Sequence, residues 1–585
     1  RGPDDAGVYV SGNLGLGHRR LSIVGLSTGH QPMSNDVHTV WIVFNGEIYN
    51  YLHLKNELRQ KGYRFRTESD TEVIIYLYEE YGEACVHRLN GMFAFAVWDE
   101  NKRRLLLVRD RLGIKPFYYV ETRDAFVFAS EIKALLAFPG VQAACNRETV
   151  YEYFLFRAVA GEQTLFNGIH SILPGHYGIV ENGDLRIHTY WECRRRQEAE
   201  LFDVDQAEER LHELLSDAVR IRLMSEVPLG TFCSGGVDSS LVTAIAAEAI
   251  GHPVNTFSVG FHEAAFDEGH YARTVAQKYG TIHHELKLDS GDFSRLLPEL
   301  VYLNDEPLNF ANSVHIYAIS KLAKDFVTVV LTGEGADELF FGYPRHQIPR
   351  FVSWLQRVSF LSQPMVRLLA LLTKDHRLAA LHYYLRDDLG HVVKLNNAVN
   401  RPDEVGALLA GSVRRSLPYR ERVHEKCSEA ETLLSAVSLQ DQHTYLVSIL
   451  NRQDKMSMGA SVEARVPFLD YRLVEFANSL PDRVRARGIS GKTLVKKVAE
   501  RYLPREVVHR RKSGFGVPLA QWFRENNGLG QLTRDVLDDH RKDEFLDIAH
   551  VARLFNQHQK GEADHAEILW TALNFLLWKK RFMTH

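Results

Sequence analysis

The chain has 585 residues, 45% of them hydrophobic and 25% charged, with a formal net charge of −4 at pH 7. Those fractions match soluble globular proteins and exclude disordered, collagenous and disulfide-rich scaffolds, while the charge balance excludes a basic nucleic-acid groove as the dominant surface. The five cysteines, Cys85, Cys145, Cys193, Cys233 and Cys427, stand at least forty positions apart, which removes CxxC zinc and redox patterns and points to a reducing, cytoplasmic compartment.

Residues 7–180 read as β-rich. Runs at 40–44, 92–98, 105–108 and 125–129 are separated by Gly, Asn and Asp turns, a rhythm that predicts stacked antiparallel sheets. Two helices interrupt them, one at 51–61 and one after Asp70, where Glu72, Val73, Ile74, Leu77 and Tyr78 fall at helical spacing. Residues 191–205 turn charged and irregular around Arg194, Arg195 and Arg196; they read as a linker between domains at 1–190 and 206–585. Beyond it come a helix at 207–223, a strand into Cys233, a Gly-rich turn, a helix at 239–250 and strands at 255–261 and 327–331. Strands alternating with helices predict a parallel sheet. From 351 onward the pattern is almost wholly helical, and the leucine stripe at 368–372 reads as helix packing. The apolar stretch at 568–578 is broken by Thr571 and Asn574 and falls short of the roughly 20 residues that span a bilayer, so it reads as a docking helix and no membrane partner is expected.

Two turns carry chemistry. Ser234-Gly235-Gly236-Val237-Asp238-Ser239-Ser240 follows an apolar strand and opens a helix. That arrangement gathers backbone N–H groups and the positive helix end at one point, where a phosphate or pyrophosphate can sit. The serine hydroxyls can donate to phosphate oxygens, and Asp238 can hold a magnesium ion; a plain Ser/Gly turn with a helix cap is the alternative. Gly491-Lys492-Thr493 is no Walker loop, because Ala486 stands where the leading glycine belongs, and it reads as a helix start. Thr332-Gly333-Glu334-Gly335-Ala336-Asp337-Glu338 follows the strand at 327–331. Ligands bind at the carboxyl ends of parallel strands, so this turn is expected to face the same crevice. Its carboxylates can hold magnesium or deprotonate an amine, with a solvated acidic turn as the alternative. His283-His284 sits on a strand, where neighbours point to opposite faces, which argues against a metal pair. Taken residue by residue, Arg20 reads as a surface charge and Asn45-Gly46 as a hairpin turn.

Together with Phe257-Ser258-Val259-Gly260-Phe261, Asp267-Glu268, Asp305-Glu306-Pro307, Asp454-Lys455-Met456-Ser457-Met458, the 463–470 string EARVPFLD and Arg510-Arg511-Lys512-Ser513-Gly514-Phe515, these turns resemble the synthetase domain of glutamine-dependent asparagine synthetases. The N-terminal half resembles the glutaminase domain of the same family, through Arg1-Gly2-Pro3-Asp4, the 18–24 string HRRLSIV, the 45–50 string NGEIYN, Ser69-Asp70-Thr71-Glu72 and the 109–116 string RDRLGIKP. The resemblance implies an α+β N-terminal-nucleophile (class II glutamine amidotransferase) sandwich lacking its first strand. An α/β PP-loop ATP pyrophosphatase domain with a helical C-terminal part follows it.

The activity implied is amidation of aspartate through a β-aspartyl-AMP intermediate, with ATP and Mg2+ as cofactors. By position, Ser234, Gly235, Gly236, Asp238, Ser239 and Ser240 hold the pyrophosphate; Cys233, Val259, Thr332 and Gly333 touch the nucleotide; Asp238 and Asp337 bind magnesium. Glu334 supports formation and aminolysis of the adenylate, and Lys512 neutralises the leaving pyrophosphate. Cys233 stands where the family usually has leucine and is expected to pack. Leu21, Ser22, Ile23, Val24 and Glu47 line the glutamine site; there Arg20 pairs with the α-carboxylate, Asp70 with the α-amino group, and Asn45 with the Gly46 N–H forms the oxyanion hole. The family's nucleophile is an N-terminal cysteine. This sequence has Arg1 at a place some tens of residues beyond it, so the expectation is a sequence that begins inside a longer chain; a chain truly this short uses free ammonia. The expected partners are aspartate, glutamine and ATP, with no nucleic acid and with a homodimer allowed. The alternative within the class is a paralogue amidating another carboxylate, with 351–425 as a carrier of that specificity. A PP-loop enzyme acting on tRNA is disfavoured by the charge, and a non-catalytic relative by the intact acidic turns.

Overall fold

The N-terminal runs form a six-stranded antiparallel sheet in the order Asp184–Thr189, His176–Glu181, Arg104–Arg109, Gly91–Asp99, Val40–Ile48, Met33–Ser34. The structure is a computed structural model and describes residues 1–195, 203–263, 266–356, 364–366, 385, 388–411, 413–488, 490–510, 516–540 and 542–583. The central strands are apolar on both faces because both are covered. Ile42, Phe44, Phe93, Phe95 and Val97 pack beneath helices Tyr51–Gln60 and Thr71–Tyr81. The alternate residues Val43, Ala94 and Ala96 face Phe117, Tyr119 and Ile172 of a second layer, built on the three-stranded sheet of Tyr118–Glu121, Phe126–Ala129 and Ile169–Ser171. A hairpin of Asp5–Ser11 and Leu14–Arg20 stands beside them.

After the helix Val204–Ile221 a five-stranded, wholly parallel sheet runs Ile282–Leu288, Asn255–Phe261, Leu229–Phe232, Val329–Leu331, Glu463–Arg465. The strand order reverses between Leu229–Phe232 and Val329–Leu331, which opens a crevice at their carboxyl ends. In the almost wholly helical C-terminal part the one strand of the described residues is the edge strand Glu463–Arg465, too short for a period to show in the sequence. In the expected specificity region the described helices are Ile348–Gln356, Leu389–Lys394, Pro402–Leu408 and Pro418–Ser428; the stripe at 368–372 lies outside the described residues.

The C-terminal helix Ala566–Phe582 is buried along most of its length. It docks on the N-terminal half: Phe575 stacks 5.9 Å from Tyr153, and Glu567 pairs with Arg157 at 2.6 Å. Among the described residues no helix is long and apolar enough to cross a membrane.

Candidate active site

In the N-terminal half a cavity of about 470 Å³ gathers Arg20, Leu21, Ile23, Val24, Asn45, Gly46, Glu47 and Asp70, a volume suited to a small polar ligand. Ser22 is the one member of the expected set outside its lining; its backbone N–H instead donates to Asp4 at 2.8 Å. Arg20 is no surface charge. It is 7% exposed, and Nη2 donates to the carbonyls of Val24 (2.7 Å) and Gly25 (3.0 Å). Nor do Asn45 and Gly46 form a turn: both lie inside strand Val40–Ile48, opposite Ala94 and Phe93. Gly46 holds φ +147°, and a Cβ there would stand 1.9 Å from the Met92 carbonyl oxygen, so the close strand approach and the backbone conformation both require glycine. Asn45 Nδ2 donates to Ser130 Oγ at 3.2 Å.

Asp70 caps the cavity from the start of Thr71–Tyr81, and its Oδ2 accepts from the Ile48 N–H at 2.8 Å. Burial pushes its carboxyl up to about 6 against the pull of that hydrogen bond. Burial, then the neighbouring Asp70 and Glu463, raise Glu47 well above the usual carboxylate range. No cysteine lines the cavity among the described residues.

At the crevice of the parallel sheet, Ser234 and Ser239 bond to each other (Oγ to Oγ, 3.0 Å), and Ser239 Oγ also receives the Ser234 N–H at 3.2 Å. These bonds draw the loop tight over the N-terminus of helix Val237–Ile250. The acidic turn presses directly on this loop: a Cβ on Gly333 would stand 2.5 Å from the Ser239 nitrogen. It is not a solvated turn, since Thr332 is 4% and Glu338 1% exposed. Thr332 Oγ1 is buried without a hydrogen-bond partner. Cys233 packs as expected, 1% exposed, with its thiol pushed up by burial, while Val259 ends up half-buried near the C-terminal end of Asn255–Phe261.

Asp238 and Asp337 converge. Lys492 Nζ lies 2.5 Å from Asp238 and 2.6 Å from Asp337. Burial alone would lower this ammonium's pKa; Asp238 and then Asp337 hold it above its ordinary value. Lys492 does cap a helix start, Thr493–Glu500, in a left-handed conformation, but its side chain serves the crevice, which corrects the reading of the Gly491-Lys492-Thr493 triplet. Glu334 Oε1 accepts from Arg452 Nη2 at 3.0 Å. Arg510, 2.8 Å from Glu268, lies over the ring of Tyr271 (4.6 Å) beside the loop. Lys512 lies outside the described residues.

His283 and His284 bond to ordinary partners, His283 to Thr256 (2.9 Å) and His284 to Asn255 (3.0 Å). Among the described residues no three His, Cys, Asp or Glu side chains cluster as a metal site.

The two sites share a strand. Glu463 and Met458 line the N-terminal cavity, and two residues past Glu463 the Arg465 carbonyl accepts the Thr332 N–H at 2.9 Å. Sequence reasoning missed Lys492 and Arg452, because a single cation carries no pattern until the fold brings it to its carboxylate.

The asparagine synthase family model matches residues 210–580, and the glutamine amidotransferase domain model matches residues 1–191. The chain is 34% identical over 598 residues to asparagine synthetase [glutamine-hydrolyzing] 1 of Bacillus subtilis (strain 168), covering 100% of this chain and 93% of that protein. It is 35% identical to asparagine synthetase [glutamine-hydrolyzing] 3 of the same organism, covering 97% of this chain and 90% of that one. To amidase chry2 of Gibberella zeae (strain ATCC MYA-4620 / CBS 123657 / FGSC 9075 / NRRL 31084 / PH-1) it is 29% identical, covering 89% of this chain and 84% of that protein.

Proposed function

The chain belongs to the glutamine-hydrolysing asparagine synthetase family, and from that premise we propose that it makes asparagine from aspartate, ATP and glutamine-derived or free ammonia. The observation that carries this reading is the convergence of Asp238, Asp337 and Lys492 where the acidic turn meets the phosphate loop. Splitting ATP between its α and β phosphates needs donors and cations on the departing oxygens. Ser234, Ser239 and the N-terminus of helix Val237–Ile250 supply donors, Lys492 supplies charge, and the buried Thr332 hydroxyl has an open hydrogen bond for the nucleotide.

Magnesium fits the two carboxylates: both reach one point, and both offer the hard oxygen donors it takes. When bound there it supplies charge neutralisation to the polyphosphate. In the first step an aspartate β-carboxylate oxygen attacks the α-phosphorus and pyrophosphate departs. In the second, ammonia attacks the acyl carbon and AMP departs. Glu334, held by Arg452, takes the proton that ammonia gives up.

Glutamine is assigned to the cavity at Arg20, Asn45, Gly46 and Asp70, where the ionised Asp70 meets its α-ammonium group. The position of Glu463 and Met458 on that cavity supports passage of ammonia towards the crevice. The likeness to the Gibberella amidase supports a second reading, amidation of a different carboxylate by the same chemistry. One assay separates them: pyrophosphate release with ATP, magnesium and aspartate, with ammonium or glutamine as nitrogen source and the amide identified by mass spectrometry. Asparagine supports the first reading. Bound ATP without turnover of aspartate rejects it in favour of the second.

A further inference from the structure

The contacts around the acidic turn close into a ring. Glu334 pairs with Arg452, whose guanidinium lies 5.9 Å from the ring of Phe310; Phe310 meets Tyr445 (5.6 Å), and Tyr445 meets Tyr343 (5.7 Å). The Tyr343 hydroxyl donates to Glu338 at 2.6 Å, which returns to the turn that carries Glu334. Phe310, Tyr343 and Tyr445 are half-buried, so their rings form a wall and not a core.

Arg345 stands on that wall, its guanidinium 4.0 Å from the Tyr343 ring and 4.3 Å from the Tyr445 ring. Nη2 donates to Asp441 at 2.6 Å, and Asp441 is itself fixed by His346 (2.8 Å) and Asn397 (3.0 Å) at 1% exposure. One edge of the cation is thus anchored and its faces are stacked. Nη1 makes no hydrogen bond among the described residues, and the side chain is 21% exposed. The backbone that delivers Arg345 passes against the phosphate cluster, since a Cβ on Gly342 would stand 2.3 Å from Lys492 Cε. Arg452 cannot do the same work, because its two terminal nitrogens are committed to Asn312 and Glu334. A guanidinium held rigid with one donor edge open is organised for a carboxylate before that carboxylate arrives.

We propose that this ring is the acceptor subsite and that Arg345 binds a second carboxylate of the acceptor, which makes the enzyme selective for dicarboxylic amino acids. One carboxylate is presented to ATP beside Lys492, and the other lies on Arg345. The proposal rests on the amide-synthetase reading above and adds the residue that selects its acceptor.

The test compares L-aspartate with β-alanine, which is aspartate without its α-carboxylate, in ammonium-dependent amide formation by the full chain. The parent enzyme is expected to prefer aspartate. Arg345→Met is expected to raise KM for aspartate by roughly 10- to 100-fold, the loss typical of a charge-assisted hydrogen bond. It should leave KM for ATP within about twofold and bring the two acceptors level. An equal loss on both acceptors marks Arg345 as a structural latch for Asp441 and overturns the proposal. Should Arg345→Met fail to fold, the parent enzyme decides: amidation of β-alanine as efficient as that of aspartate overturns the subsite while leaving amide synthesis intact. A parent enzyme that amidates no carboxylate overturns both.

Discussion

Gly333→Ala tests how closely the acidic turn must sit on the phosphate loop. Gly333 does not occupy the left-handed region, so alanine can adopt its backbone and only space opposes it. The added Cβ would lie 2.5 Å from the Ser239 nitrogen and 2.8 Å from the Asp238 carbonyl carbon, where ordinary contact begins at 3.4 Å, so the turn must retreat by about 1 Å. The loop cannot retreat in its place. Both obstacles are backbone in the first turn of helix Val237–Ile250, held by the Ser240 N–H to Gly236 carbonyl bond of 3.0 Å. Displacing reacting groups by 1 Å costs on the order of 100-fold in rate, and overpacking costs about 1–3 kcal/mol of stability. Pyrophosphate release by Gly333→Ala should therefore fall about 100-fold while thermal unfolding remains cooperative, with KM for ATP changing less than kcat. Turnover within about threefold of the parent would refute the claim that this contact sets the distance between Glu334 and the nucleotide.

Lys492→Met leaves Asp238 and Asp337 facing each other without their cation. Because those carboxylates are 17% and 19% exposed, the loss should be about 2–3 kcal/mol, at or below the low end of the range for a fully buried pair. Added magnesium should restore the melting temperature of this variant by more than it raises that of the parent; a melting temperature indifferent to magnesium would remove the cation from these two carboxylates. Glu334→Ala should abolish pyrophosphate release while ATP binding stays measurable by calorimetry, since it removes a carboxylate at the reacting centre and spares the phosphate loop; unchanged turnover takes Glu334 out of the mechanism. Asp70 has its carboxyl raised from 3.8 to about 6 in the fold. Its contribution to the stability of the ligand-free protein is therefore full below the unfolded value and is lost as pH rises through about 6. Glutamine has the opposite dependence, because only the ionised Asp70 pairs with its ammonium group: the dissociation constant should fall between pH 5 and pH 7, by about tenfold per unit below the carboxyl's pKa. A flat profile in calorimetric titration would remove Asp70 from glutamine binding.

The parts legible in the sequence are those whose physics is local. A continuous apolar run such as Val40-Trp41-Ile42-Val43-Phe44 announces a covered strand, and the string from Ser234 to Ser240 after an apolar strand announces the tight turn that opens helix Val237–Ile250. Gly46 shows where local reading ends. Asn-Gly is the strongest short hairpin signal, yet here the glycine is demanded by the Met92 carbonyl of the neighbouring strand, more than forty residues away in sequence. Arg20 is misread for a different reason: its partners Val24 and Gly25 are near in sequence, but they are backbone carbonyls, which have no signature in a sequence. Lys492 and Arg345 are the extreme cases. Each acquires its role from groups that chain topology alone brings near: Lys492 from two carboxylates over 150 and 250 positions away, Arg345 from the buried Asp441 and the ring of Tyr445. A motif records which residues face a ligand through local backbone geometry. It does not record which distant cation the fold carries to a given group, and in this protein those cations are Lys492, paired with Asp238 and Asp337, and Arg345, stacked on Tyr343 and Tyr445.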